Sequence, residues 1–291
     1  MTPRYCYVDG PYGQIHVAQT GAGPPLVLLG GAPRSSRQFA TLTPFLSAGH
    51  HIIMPDMPGF GNSAPMARDA GISGVAAAIV AALDGLGIGR AHLFGLHSGA
   101  KVAAALAAEH PARCASIVIA GKSHSLIPEM DHRAQVMRAI VDPLYFSHGA
   151  DEAFSTVRGW AAASRSLTSC WWDDALFREQ EPDAALRAVE AKVVDDLLGR
   201  RHAAAFYEAN FAFDFADAVT RISAPALIVE IVSDREDAEY GRQGLRLRAC
   251  LPAADMRTVP DIDPSGLGVH ADPAGLAVIV SDFVGRHSAP C

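Results

Sequence analysis

Short apolar runs bounded by glycine, proline and aspartate alternate with stretches of helical periodicity along most of the chain. Residues 5–8 and 14–18 read as an opening hairpin, and continuous apolar runs at 25–29 and 51–54 predict buried strands ending at Gly30-Gly31 and Pro55-Asp56. A helix is predicted over 72–86 and a strand over 91–94. An alanine-rich helix over 100–109, stopped at Pro111, and a strand over 116–120 follow. After Gly121 the rhythm changes. From about 123 to 216 there is no convincing buried strand, only helical stretches at 130–141, 150–163, 171–180, 182–198 and 201–210. Strands return at 226–232 and 255–259, and 273–285 closes the chain as a helix. Alternating strands and helices imply a mostly parallel sheet with helices on both faces. The interruption implies an inserted helical cap, dividing the chain into core (1–122), cap (123–216) and core again (217–291).

The turn between the strand at 91–94 and the next helix is Gly95-Leu96-His97-Ser98-Gly99. This is the frame of a nucleophile elbow, G-x-S-x-G, with histidine where serine belongs. The central residue of that frame sits on a sharp strand-to-helix turn, and side chains at the two glycine positions would clash. Centring the turn on Ser98 instead would put Leu96 and Ala100 at the crowded positions and leave both glycines unexplained. His97 is therefore taken as the tip. The pentapeptide alone also fits an ordinary glycine-containing turn with a bystander histidine, so the flanking sequence must decide.

Composition narrows the setting. With 291 residues, 49% of them hydrophobic and 19% charged, the chain can bury one large core, and its length suits one α/β domain with an insertion. A net charge of -7 without a basic stripe argues against nucleic acid or an anionic membrane as partner. No apolar run approaches the roughly 20 residues that span a bilayer, and no apolar signal region follows Met1, so a cytoplasmic protein is expected. Cys6, Cys114, Cys170, Cys250 and Cys291 are odd in number and lack C-x-x-C spacing, which reads as reduced thiols. No metal-ligand cluster is evident. Gly85-Leu86-Gly87-Ile88-Gly89 runs into a strand, the wrong context for a phosphate loop, so no cofactor is expected. The expected partner is a small-molecule substrate, and the oligomeric state stays open, a homodimer being one option.

Four motifs in order carry a family resemblance: Gly23 to Ser36 around Gly-Gly-Ala-Pro, Pro-Asp-Met-Pro-Gly-Phe-Gly-Asn-Ser at 55–63, the elbow, and Ala-Pro-Ala-Leu-Ile-Val at 224–229 leading to Asp234. On these the chain resembles the α/β-hydrolase fold superfamily, in the capped group of epoxide hydrolases, haloalkane dehalogenases, proline iminopeptidases and C–C bond hydrolases. The resemblance implies an eight-stranded, mostly parallel sheet. In that family the segment after the first long strand reads H-G-x-P, and the residue after its glycine gives a backbone N–H to the oxyanion hole. By that match Ala32 is one donor, Gly31 lets the backbone approach, and Gly30 replaces the usual histidine. The second donor is the N–H of Ser98. Asp234 falls where the family places its triad acid. His270 is the one histidine in the stretch for the triad base, closer to the final helix than the family pattern puts it. Arg34 and Ser35 after the oxyanion glycine, and Lys122 and His124 after the strand at 116–120, are candidates to face a substrate carboxylate.

Imidazole titrates near neutrality and can take a proton without a serine intermediary. His97 therefore admits hydrolysis of an ester, lactone, amide or C–C bond, through activated water or an acyl-imidazole. It also admits proton-transfer chemistry giving lyase, decarboxylase or cofactor-free oxygenase activity, or no catalysis in a ligand-binding relative. Keeping both oxyanion positions favours a substrate with a carbonyl, and hydrolysis is the expected reaction because one fold hosts many chemistries but most relatives hydrolyse.

Overall fold

The computed structural model describes residues 2–67, 69–121, 126, 135, 182–232, 234, 237, 242–262, 269 and 271–288, with backbone alone for 182–190, 192, 193 and 200. Its strands are β1 (Arg4–Gly10), β2 (Gly13–Thr20), β3 (Pro25–Leu29), β4 (His51–Pro55), β5 (Ala91–Leu96), β6 (Cys114–Ala120), β7 (Ala226–Val232) and β8 (Asp255–Pro260). They form one sheet in the order β1-β2-β4-β3-β5-β6-β7-β8. The β1–β2 and β2–β4 pairings are antiparallel and the rest parallel. The central strands are predominantly apolar because helices cover both of their faces.

One face packs α2 (Gly71–Gly85), α3 (Ser98–Glu109), α5 (Phe215–Thr220) and α6 (Gly244–Cys250). The other packs α1 (Thr43–Leu46) and α7 (Pro273–His287). Neighbouring residues of β5 serve opposite layers, Leu93 toward α3 and Phe94 toward α7. Alanines 100, 103, 104, 105 and 107 of α3 are all buried. Their small side chains let this helix lie close on β5 and β6 at no cost in helix propensity.

Where two helices are expected at 182–198 and 201–210, one continuous 31-residue helix, α4 (Pro182–Ala212), is found. Gly199 does not end it. A Cβ at 199 would lie 2.7 Å from Phe60 Cδ1 and 3.2 Å from the Pro33 carbonyl oxygen, so this glycine serves close packing against the core loops. Apart from residue 135, the expected helices at 130–141, 150–163 and 171–180, and the boundary at 122/123, lie outside the described residues. Among the described residues no helix is long and apolar enough to cross a membrane.

Candidate active site

β5 ends at Leu96 and α3 begins at Ser98, leaving His97 alone to turn the chain. Its φ of 52° and ψ of −116° make it the one non-glycine residue with positive φ among those described. Such a conformation costs about 1–3 kcal/mol and persists only where the surroundings impose it. The neighbours impose it here. A Cβ on Gly95 would lie 2.5 Å from Ala100 Cα, and one on Gly99 would lie 2.1 Å from the Leu29 carbonyl oxygen. Both glycines are thus needed for the register centred on His97. The His97 N–H donates to the Ala120 carbonyl at 3.0 Å, and its carbonyl accepts from Ala100 N.

The imidazole is half-buried between two further glycines. A Cβ at Gly31 would approach His97 Cβ to 3.6 Å, whereas one at Gly121 would lie 2.6 Å from Nδ1 and 2.7 Å from Cε1. Gly121, at the end of β6 with φ +80°, therefore makes room for the ring. Sequence reasoning missed it. The available signal was a glycine directly after a strand adjoining the elbow strand, Leu96 pairing with Ala120.

Opposite the elbow, the β3 exit loop is pinned at several atoms. Gly31 N–H donates to Gln38 Oε1 at 2.9 Å, and Ala32 N–H donates to Ser98 Oγ at 2.8 Å. Tyr207 Oη donates to the Ala32 carbonyl at 3.3 Å. Arg34 and Ser35, expected to face a ligand, are drawn to Asp195 of α4, whose side chain is fully buried. Its Oδ2 accepts from Arg34 Nε at 3.1 Å and Ser35 N at 3.2 Å, and its Oδ1 from Ser35 Oγ at 2.6 Å and Arg37 Nη2 at 2.7 Å. A buried carboxylate needs this many donors to offset its desolvation.

The structure thus brings together Gly31, Ala32, His97, Ser98 and Gly121, while Arg34 and Ser35 are engaged by Asp195. Asp234 lies just past β7 and is exposed, while His270, Lys122 and His124 lie outside the described residues. Along α4, burial shifts two titratable groups toward their neutral forms. It pushes the Tyr207 hydroxyl up, aided by Asp196, and lowers His202, with Arg201 adding to the effect. One turn into α3, burial brings Lys101 down to about 8, and its ammonium donates to the Asn210 carbonyl near the end of α4 at 2.6 Å.

Comparison with known proteins agrees with this fold. A 2-hydroxy-6-oxo-6-phenylhexa-2,4-dienoate hydrolase of Burkholderia cepacia is 34% identical over 113 residues, 37% of this chain and 40% of that protein. The chain thus matches about two fifths of the length of that relative. A 2-hydroxy-6-oxononadienedioate/2-hydroxy-6-oxononatrienedioate hydrolase of Pseudomonas putida is 27% identical over 287 residues, covering 93% and 91% of the two chains. The enol-lactonase structure from Burkholderia xenovorans LB400 superposes with a TM-score of 0.70 at 22% identity, over 96% of this chain and all of that one. The family model for the alpha/beta hydrolase fold matches residues 24–237, and the chain belongs to that family.

Proposed function

We propose that this chain is a hydrolase of a small carbonyl compound and that His97 supplies its base. The observation that carries the reading is a histidine side chain presented from the strained tip of the elbow, beside the loop and helix end that flank an oxyanion in this family. In the proposed reaction His97 takes a proton from water as the water oxygen attacks the carbonyl carbon. The oxygen of the resulting tetrahedral adduct is held at the junction of Ala32 and Ser98, and the imidazolium returns its proton to the leaving group. No residue is acylated, so one histidine can act as base and then acid. Asp234 and His270 complete the proposal as the pair that orients and supports this cycle.

The relatives support a substrate class. A 2-hydroxy-6-oxo-dienoate carries a ketone, an enol and a carboxylate, and its hydrolysis breaks a C–C bond beside the ketone. An enol-lactone makes the same demand at its carbonyl. The test is a panel of 2-hydroxy-6-oxohexa-2,4-dienoates, enol-lactones and nitrophenyl esters, assayed with the native protein and with His97→Ala. At least one class should turn over, and His97→Ala should lower kcat by about 10²–10⁴-fold. Fluorophosphonates, which need an activated hydroxyl, should leave the native protein unlabelled. Equal turnover by folded His97→Ala, or hydrolysis of no compound in the panel, would overturn the proposal.

A further inference from the structure

The N–H of Ala32, the first oxyanion donor by family resemblance, is already spent. It donates to Ser98 Oγ at 2.8 Å, across 66 positions of chain. A hydroxyl that accepts one hydrogen bond still has its own proton to give. Among the described residues, that proton has no acceptor. Ser98 is also the first residue of α3, where a helix leaves its N–H groups unpaired and the helix dipole favours negative charge. Ser98 and the neighbouring His97 are both half-buried, so neither is sealed from the site.

We infer that the Ser98 side chain is itself an oxyanion donor: Ala32 N–H polarises the hydroxyl, and the hydroxyl proton bonds the substrate's carbonyl oxygen. This rests on the hydrolase reading above and refines it. Hydrogen bonds in series strengthen one another, so a hydroxyl that accepts from an amide is a better donor than a free one. The arrangement also separates the two roles that one serine plays at an ordinary elbow. His97 handles the proton of the nucleophile, and Ser98 meets the growing negative charge without forming a bond to carbon. No atom is transferred to Ser98, and its proton stays on Oγ throughout.

Two measurements on the full-length protein test this. In the first, Ser98→Ala should lower kcat by about 10–10²-fold with KM changed less than about threefold, since the bond strengthens as charge develops. Ser98→Thr, which keeps the hydroxyl, should restore most of the rate. The second reads charge binding without turnover. The native protein should bind 4-nitrophenolate, a planar oxyanion, and shift its absorbance. Ser98→Ala should bind it at least about tenfold more weakly and Ser98→Thr should bind it like the native protein. Equal or faster catalysis by Ser98→Ala would mean that the hydroxyl only plugs the Ala32 donor, and would overturn the inference. So would equal phenolate binding by the two proteins, or no binding by the native one. Phenolate binding that depends on the Ser98 hydroxyl, in a protein that hydrolyses nothing in the panel, would uphold the donor while refuting the hydrolase reading. Labelling of native Ser98 by a fluorophosphonate would make it a nucleophile and overturn both.

Discussion

Gly121→Ala tests whether the slot around the elbow histidine is real. The new Cβ would lie 2.6 Å from His97 Nδ1 and 2.7 Å from Cε1. Non-bonded carbon and nitrogen atoms rest near about 3.5 Å, so the ring or the end of β6 must give by roughly 0.9 Å. Gly121 also sits at φ +80°, which costs an alanine about 1 kcal/mol or more whatever its surroundings. Overpacking adds about 1–3 kcal/mol. The two contributions separate in a double-mutant cycle. With His97→Ala in place the ring is gone, and Gly121→Ala should then cost only the φ strain. The expected coupling is about 1–3 kcal/mol, read from urea midpoints of the four proteins. In the enzyme that keeps His97, a displacement of this size should lower kcat by about 10²-fold. Additive stabilities, within about 0.5 kcal/mol, would show that the ring does not occupy the space over Gly121.

Two further predictions concern the frame around the site. Asp195→Asn removes the charge that Arg34 and Arg37 share. Because the Asp195 and Arg34 side chains are 0% and 5% exposed, it should cost about 3–5 kcal/mol, whereas Arg37→Ala, at 38% exposure, should cost about 1 kcal/mol or less. Similar urea midpoints for the two variants would refute the assignment of Asp195 as the buried anchor. At the opposite end of the sheet, burial holds His92 down at about 4, with His50, Arg90 and His287 adding to the effect, while its ring bonds Ser116 and Ser288. Between about pH 6.5 and 4 the unfolded chain binds a proton that the native state refuses. Stability should therefore be complete above 6.5 and fall by about 3 kcal/mol on acidification to 4. His92→Gln should flatten that fall, and an unchanged pH profile would refute the cause.

The strands were legible where both faces are covered. The runs at 25–29 and 226–232 coincide with β3 and β7 because a strand between two helical layers has no polar alternation to blur its ends. The elbow was legible in kind but not in tightness. The pattern leaves a turn between 94 and 100, while the structure needs only His97, since Gly95 and Gly99 bring regular backbone to within one residue of the turn. The anchoring face of α4 was hidden for a different reason. Positions 195, 199, 202, 203, 206, 207 and 210 are buried or half-buried at helical spacing, but they read Asp, Gly, His, Ala, Phe, Tyr and Asn. A stripe so polar carries no hydrophobic periodicity. Its order comes from partners remote in sequence: the loop arginines on Asp195, the Ala32 carbonyl on Tyr207, Phe60 edge-on to Phe206, and Lys101 on the Asn210 carbonyl.

That network bears on what the histidine is for. An elbow that had lost its chemistry could relax, because glycine at the tip would remove the strain of a positive φ, about 1–3 kcal/mol. This chain holds the strain, and glycines at 31 and 121 leave space for the ring. It also fixes the facing loop with Asp195 and Tyr207 from α4 and aims the Ala32 N–H at the hydroxyl beside the tip. Each feature constrains the position of His97 or of the atoms it faces, and none is required to close the sheet. Strain retained at one atom group, with rigid partners converging on it, is what an acid–base site needs, because proton transfer depends on heavy-atom placement within hydrogen-bond reach.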